Sequence, residues 1–399
     1  MRNIVKSIFN YIQKSDWMLW LIIIAISTYS YLLLNSFSMQ TGTGYDRTQL
    51  LAIMLGMGGA VLISLLDYSG IANFWYLIGG FCIFLMIYTM FFADEVVGAG
   101  GVNARAWIQI GGRTFQSSEL VKIGFIITFS KHLDVLKKGG LIDDPRHVVL
   151  LACHAMIPVL LCHNQGDDGA GVVFFVMFLS MSFAAGIQLR YFLILFALAL
   201  LAIPLLWRFV LSEYQKLRFT AVYNLDDLSV MNNEGYQQYN ARISIASGQF
   251  SGHGLYNGRR VSSQVVTFQH SDFIFSLAGE ELGFIGCVAI IVTLLLLMLK
   301  ILHTARSSRD DLGKYICFGY FGMIAIQSIT NIGMCLALLP VMGVTLPFYS
   351  SGGSSAMCLY LGIGLLQSVY SRRKETDGMR LSRDSPIRLN YKMMHRLPK

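Results

Sequence analysis

Apolar and polar positions along this chain alternate in long blocks rather than residue by residue. Ten apolar runs fall near 17–37, 48–66, 73–93, 118–135, 147–163, 169–187, 190–211, 273–302, 313–339 and 343–370. A helix of about 20 apolar residues crosses a hydrocarbon layer of about 30 Å. The pattern therefore predicts an all-α integral membrane protein with about ten transmembrane helices. The first run ends in Leu34-Asn35-Ser36-Phe37-Ser38-Met39, not in a small-residue cleavage site, and reads as a retained span. Ahead of it, Ile4, Val5, Ile8, Phe9 and Ile12 recur at helical spacing opposite Lys6 and Lys14. That spacing predicts a short interfacial helix, with a plain basic tail as the alternative. No internal repeat is visible.

One stretch breaks the rhythm. Residues 212–270 form a long polar loop between spans seven and eight. Loops of that length usually carry function or lack order. This one holds amphipathic pieces such as Tyr239 to Ser247, and turns marked by Gly248, Gly252, Gly254 and Gly258. We expect it to be partly ordered. The organisation is then one polytopic membrane domain over 1–371 and a basic tail over 372–399.

Composition agrees with the pattern. The hydrophobic fraction is 54% and the charged fraction 14%, with a mean hydropathy of +0.55. Soluble domains carry about 25% charged residues. The net charge of +8 does not point to nucleic acid, because the basic residues sit in short loops and at the termini. Arg2, Lys6 and Lys14, then Lys131, Lys137, Lys138 and Arg146, then Arg190, then Lys300 to Lys314, and the tail from Arg372 all fall on one face of a ten-span topology. Only Arg47, Arg105 and Arg113 fall in the short loops of the other. The positive-inside rule puts both termini in the cytoplasm, with the tail disordered or lying on anionic lipid. The seven cysteines lie almost entirely in apolar runs, without a CxxC pair, and read as small core residues.

Candidate chemistry falls into three clusters. The first is Gln269-His270-Ser271-Asp272-Phe273-Ile274-Phe275, which runs on through Ser276 and Gly279 to Glu280-Glu281-Leu282-Gly283. Ionised carboxylates in a bilayer cost about 2.5–3.5 kcal/mol each, so a chain that keeps them usually uses them. Asp272 stands where the long loop enters the eighth span. On a continuous helix, Ser276, Gly279 and Gly283 share its face, while Glu280 lies roughly 12 Å deeper and about 80° round. Helix cap and catalytic carboxylate both remain open for Asp272. Glu280 and Glu281 read as buried partners of polar groups.

The second cluster is Asn103-Ala104-Arg105-Ala106-Trp107-Ile108, followed by Phe115-Gln116-Ser117-Ser118-Glu119-Leu120-Val121-Lys122. Glu119 and Lys122 are three apart on a helix and can pair on one face. Arg105 and Trp107 also fit an interfacial belt. The third runs from Leu338 to Ser355, where Pro340, Pro347 and Ser350-Ser351-Gly352-Gly353 interrupt the apolar helices. Non-helical backbone at that depth survives only when buried in protein or lining a polar cavity. Gln165-Gly166-Asp167-Asp168-Gly169 reads as an outer turn with a charged role. His154 and His163 read as hydrogen-bonded core residues. No Walker loop, GxSxG or paired metal spacing occurs.

These clusters, over about residues 15–373, resemble the SEDS family (shape, elongation, division and sporulation) of membrane peptidoglycan glycosyltransferases, RodA, FtsW and SpoVE, with a lean towards RodA. His270-Ser271-Asp272-Phe273-Ile274-Phe275 matches the family motif whose aspartate is catalytic. Trp107 matches its Arg-Trp-Ile motif, and Gln116, Ser118, Glu119 and Lys122 match Gln-Pro-Ser-Glu-x-x-Lys with Ser117 in place of proline. Its outer-loop basic residue falls at Arg218. Asn331-Ile332-Gly333, Leu346-Pro347-Phe348 and Ser350-Ser351-Gly352-Gly353 match further motifs. The family's Gln-Pro-Asp-Leu-Gly reads Gln165-Gly166-Asp167-Asp168-Gly169 here, while Thr267-Phe268 replaces a Pro-Glu pair and Arg259-Arg260 replaces Thr-Gln.

The resemblance implies polymerisation of lipid II at the outer face of the bacterial cytoplasmic membrane, with inversion and with Asp272 as general base. It implies substrate contacts from Trp107, Arg105, Glu119, Lys122, Arg218, Ser350, Gly352 and Gly353, with Arg259 or Arg260 as further partners for the diphosphate. It also implies a class B penicillin-binding protein as partner and the lipid bilayer as solvent. The residues establish no cofactor. A divalent cation, Mg²⁺ or Mn²⁺, bridging Asp272 and the diphosphate is compatible with them. A non-catalytic scaffold that recruits the penicillin-binding protein, and a transporter of the lipid-linked precursor, are the alternative readings.

Overall fold

The computed structural model describes residues 13–93, 96–97, 103–110, 113–209, 211–225 and 227–373. The interfacial-helix expectation for residues 4–12 and the tail beyond Arg373 lie outside them. Ten helices of 18 residues or more occur among the described residues, one for each apolar run. They are α1 (Trp17–Thr41), α2 (Tyr45–Leu65), α4 (Trp75–Phe92), α5 (Ser117–Lys138), α6 (Pro145–Asn164), α7 (Asp168–Ala185), α8 (Leu189–Phe209), α13 (Ile274–Ser307), α14 (Asp311–Cys335) and α15 (Gly353–Ser371). Eight are long and apolar enough to cross a membrane by themselves. The other two, α5 and α15, carry more polar residues and are covered by the rest: α5 is buried along nearly its whole length.

Between these run the short helix α3 (Tyr68–Asn73) and two antiparallel hairpins, β1 (Val96–Val97) with β2 (Asn103–Ala104) and β3 (Trp107–Ile110) with β4 (Arg113–Gln116). The long loop folds into α9 (Glu213–Ala221), α10 (Leu228–Asn232), α11 (Tyr236–Ser247) and α12 (Arg259–Ser262). Leu, Ile, Phe and Trp side chains cover the outside of the bundle, as a lipid environment requires. The molecule is an all-α, multi-pass membrane protein.

The end of the bundle away from Asp272 is fastened by ion pairs. Asp16 pairs with Lys300 at 2.8 Å, and its backbone N–H donates to Gln367. Arg309 donates to both carboxylate oxygens of Asp67, at 3.0 and 3.2 Å. These contacts tie the starts of α1 and α3 to the ends of α13 and α15.

The expectation of one straight helix carrying Asp272, Glu280 and Gly283 is corrected. Asp272 precedes the helix, which begins at Ile274. Phe273 is the N-cap and no side chain caps it, so Asp272 is not a helix cap. Gly283 then breaks α13, with φ 64° and ψ −155°. The loop repairs the break. His253 and Gly254 N–H groups donate to the carbonyls of Glu280 and Glu281, and Phe284 and Ile285 N–H groups donate to the carbonyls of Gln249 and Phe250. A break at this depth is tolerable only because protein backbone fills it.

That backbone region is open essentially only to glycine, and a Cβ at Gly283 would collide with the Gly252 nitrogen. Gly283→Ala should therefore destabilise the fold by about 1–3 kcal/mol or more. The check is thermal unfolding of detergent-purified protein, together with new protease cleavage near 248–254. An unchanged melting temperature would show that the break is not needed.

The last apolar run also differs from its expected bounds. The chain from Leu336 to Gly352 is not helical, and α15 starts at Gly353 instead of near 343. Pro340 and Pro347 cannot donate to a helix, so the segment runs as irregular backbone, exposed at Leu336 and Leu338 and buried from Leu346 to Ser350.

Candidate active site

Residues 268–273 and 341–352 lie side by side and hold each other through backbone groups. The Ser350 hydroxyl donates to the Ser271 carbonyl at 2.6 Å and accepts from the Leu346 N–H at 2.8 Å. The Ser351 N–H donates to the His270 carbonyl at 2.9 Å. The Asn331 side-chain amide reaches from α14 to the carbonyls of Asp272 and Val344, at 2.7 and 2.8 Å. Asp272 is thus fixed through its own carbonyl and those of its neighbours, not through its carboxylate.

That carboxylate is only 8% exposed. Burial pushes its pKa up to about 6, the nearby Asp167 pushes the same way, and the Ser271 hydroxyl opposes them. Gly343, at φ 65°, covers it: a Cβ there would stand 3.9 Å from Asp272 Oδ2. The His270 ring stacks on Tyr45 with centroids 3.8 Å apart. Burial lowers its pKa to about 4, so the imidazole is neutral near pH 7.

Asp167 organises the neighbouring corner. It caps α7 by accepting from the Ala170 N–H, and it also accepts from Gln116 Nε2 at 2.8 Å and Ser118 Oγ at 3.1 Å. The Gln116 N–H in turn donates to Ser354 Oγ at 3.2 Å, next to Gly352 and Gly353. Gly352 is the N-cap of α15 and Gly353 its first residue. The sequence presents 165–169 as a charged turn and as the counterpart of a family motif; here it joins two of the clusters.

Arg105 and Trp107 come to this corner through backbone. The Arg105 N–H donates to the Gln165 carbonyl at 2.9 Å, and half-buried Trp107 pairs with Gln116 across the hairpin. The sequence signal for this hairpin is the β-prone run Trp107-Ile108-Gln109-Ile110 followed by Gly111-Gly112.

Glu119 and Lys122 form the intrahelical pair, at 2.9 Å, both buried. Arg218 of α9 donates to the Val341 carbonyl at 3.3 Å, on the segment that covers Asp272. Arg260 is otherwise engaged. Its guanidinium donates to Ser244 Oγ at 3.0 Å and Asn240 Oδ1 at 2.7 Å, within the loop scaffold. It is not placed for a diphosphate, and Arg259 is exposed.

The two glutamates are buried partners of polar groups, as expected. Glu280 accepts from the Arg260 and Val261 N–H groups at the start of α12, and Glu281 accepts from Ser36 and Gln40 of α1. His154 is a hydrogen-bonded interior residue, bonded to Thr128 and His132. His163 departs from that expectation: it is exposed and pairs with Asp168 at 2.7 Å. Of the seven cysteines, six are buried and Cys153 is exposed.

Comparison with known proteins agrees with this arrangement. Residues 15–375 match the FtsW/RodA/SpoVE family of cell cycle proteins. Peptidoglycan glycosyltransferase MrdB of Escherichia coli K12 is 30% identical over 363 residues, covering 89% of this chain and 93% of its own length. A probable peptidoglycan glycosyltransferase FtsW of Geobacter sulfurreducens is 29% identical over 379 residues, covering 91% and 97%. Among solved structures, a chain of a peptidoglycan synthase complex that coordinates polymerization and crosslinking superposes with a TM-score of 0.76 at 26% identity, covering 91% of this chain and 99% of that one. Thermus thermophilus rod shape determining protein RodA superposes with a TM-score of 0.66 at 26% identity, covering 91% and 98%. With the match running over nearly the whole described bundle and all three clusters, the chain belongs to the FtsW/RodA/SpoVE family.

Proposed function

We propose that this protein, a peptidoglycan glycosyltransferase, polymerises lipid II with Asp272 as general base. One observation carries the reading. Asp272 is a buried carboxylate fixed through its backbone, at the mouth of the bundle, with its pKa raised to about 6. A base poised near the working pH is what proton abstraction from a sugar hydroxyl needs. The carboxylate takes the proton of the acceptor 4-hydroxyl as that oxygen bonds to the anomeric carbon. The bond to the lipid diphosphate breaks on the opposite face, its electron pair leaves with the phosphate, and the anomeric centre inverts.

Charge on the departing diphosphate calls for cationic partners. Arg218, beside the Val341 carbonyl, is the best placed, and Arg105 lies at the other corner. Lys122 neutralises Glu119 from within the bundle, and Trp107, Ser350, Gly352 and Gly353 shape the walls. Among the described residues, no three His, Cys, Asp or Glu side chains come together as a metal cage. A bound Mg²⁺ or Mn²⁺ would therefore rest on Asp272 and the substrate's own oxygens, and would supply charge neutralisation there. The expected setting is the cytoplasmic membrane, with both termini inside, the site outside and a class B penicillin-binding protein as partner.

The loop divides into two parts. Residues 236–262 are spliced into α13 and hold α14, where Gln238 donates to the Met334 and Leu339 carbonyls. Residues 211–232, with α9 and α10, are the part we assign to closing over bound lipid. Arg218→Ala should lower polymerisation by about 10²-fold and reduce labelling by a photoreactive lipid II analogue. Added lipid II should slow external proteolysis between Ser212 and Asn233. Normal polymerisation by Arg218→Ala, with proteolysis indifferent to substrate, would make this loop a passive linker.

A further inference from the structure

We propose that Asp168 is a positioning residue that holds α9, and through it Arg218, against the active site. The inference rests on the reading of Arg218 as a diphosphate partner.

The geometry is a clasp of three side chains. Asp168 begins α7, one residue after the Asp167 cap. Its Oδ1 meets His163 Nδ1 at 2.7 Å, and its Oδ2 accepts from Gln215 Nε2 at 2.9 Å. The other end of the Gln215 amide accepts from the Ser212 N–H at 3.0 Å and completes the capping box of α9. One amide therefore ties the start of α9 to its own cap and to α7. Arg218 follows three residues later, one helical turn along, and donates to the Val341 carbonyl.

The clasp acts at the first turn of this helix, while its last residue, Ala221, is itself buried. The preceding helix, α8, buries none of its residues against the rest of the bundle. A nine-residue helix is marginal by itself in water. Ring contact between Trp207 and Phe219 joins α9 to α8, not to the core. His163 holds the carboxylate from the far side and sets its direction.

The test uses full-length protein in detergent, with hydrogen exchange over 213–221 and lipid II polymerisation read in parallel. Asp168→Leu should speed exchange across α9 and lower polymerisation by about one to two orders of magnitude, since a shift of about 1 Å at a charge-binding group has effects of that size. Asp168→Asn keeps an acceptor for Gln215 and should restore protection and most of the activity. In an Arg218→Ala background, Asp168→Leu should cause no further loss.

Unchanged exchange in Asp168→Leu would overturn the clasp. Faster exchange with undiminished polymerisation, where Arg218→Ala alone is impaired, would overturn the positioning role. Faster exchange with an active Arg218→Ala enzyme would instead overturn the role given to Arg218 above.

Discussion

Asp272→Asn should abolish glycan polymerisation while the protein inserts, folds and purifies as before. The substitution keeps the side chain's shape and removes only its ability to take a proton. The backbone bonds that fix this residue run through its carbonyl and its neighbours, so they survive the change. A positioned general base contributes typically about 10²–10⁴-fold, and a loss of that size is expected in single-turnover rates. Wild-type activity should also rise with pH through about 6, the value to which burial moves this carboxyl.

Stability should run the other way. A carboxyl whose folded-state pKa lies above its ordinary value contributes stability that is present at low pH and lost as pH rises through about 6. The same pH window that activates the enzyme should therefore slightly loosen it. An activity profile flat from pH 5 to 8, about the span in which such a base would titrate, would remove Asp272 from proton transfer.

Lys122→Met should be the most destabilising single change in the helical core. Lys122 and Glu119 are 1% and 5% exposed and bonded to each other at 2.9 Å. Removing the lysine strands a buried carboxylate, at a cost of about 3–5 kcal/mol. Glu119→Gln in the same chain removes the stranded charge and should recover most of the lost melting temperature. Polymerisation then decides the role. If the double variant is as active as wild type, Lys122 is a structural counter-ion. If stability returns and activity does not, Lys122 also meets the diphosphate. Failure of Glu119→Gln to restore stability would show that the pair is not the unit that matters.

Local pattern accounts for much of this architecture. Each long helix coincides with an apolar run, because hydrophobic length is a property of contiguous residues. Asp272, Ser350, Glu119 and Lys122 could be singled out as polar groups that a membrane does not tolerate idly. What remained hidden depends on partners distant in the chain. The break at Gly283 reads as helix in the sequence, since only the loop at 249–254 makes it affordable. Arg260 reads as a phosphate ligand until Ser244 and Asn240 are seen to hold it. Asp167 reads as a turn residue because Gln116 and Ser118, which give it a role in the site, lie about fifty positions earlier in the chain. His163 was assigned to the core by its place in an apolar run, but the last turn of α6 emerges there and meets Asp168.

The central claim is that this chain makes glycan from lipid II, and that Asp272 does the chemistry. The most direct measurement gives fluorescent lipid II to the purified protein in liposomes, with and without a class B penicillin-binding protein, beside the Asp272→Asn variant. The account predicts long lysozyme-sensitive strands from the wild type, more of them with the partner present, and none from the variant. Lipid II that moves between leaflets unconsumed would make the protein a transporter. Equal strand formation with Asp272→Asn in the presence of the partner would make it a scaffold, and either result would contradict the account.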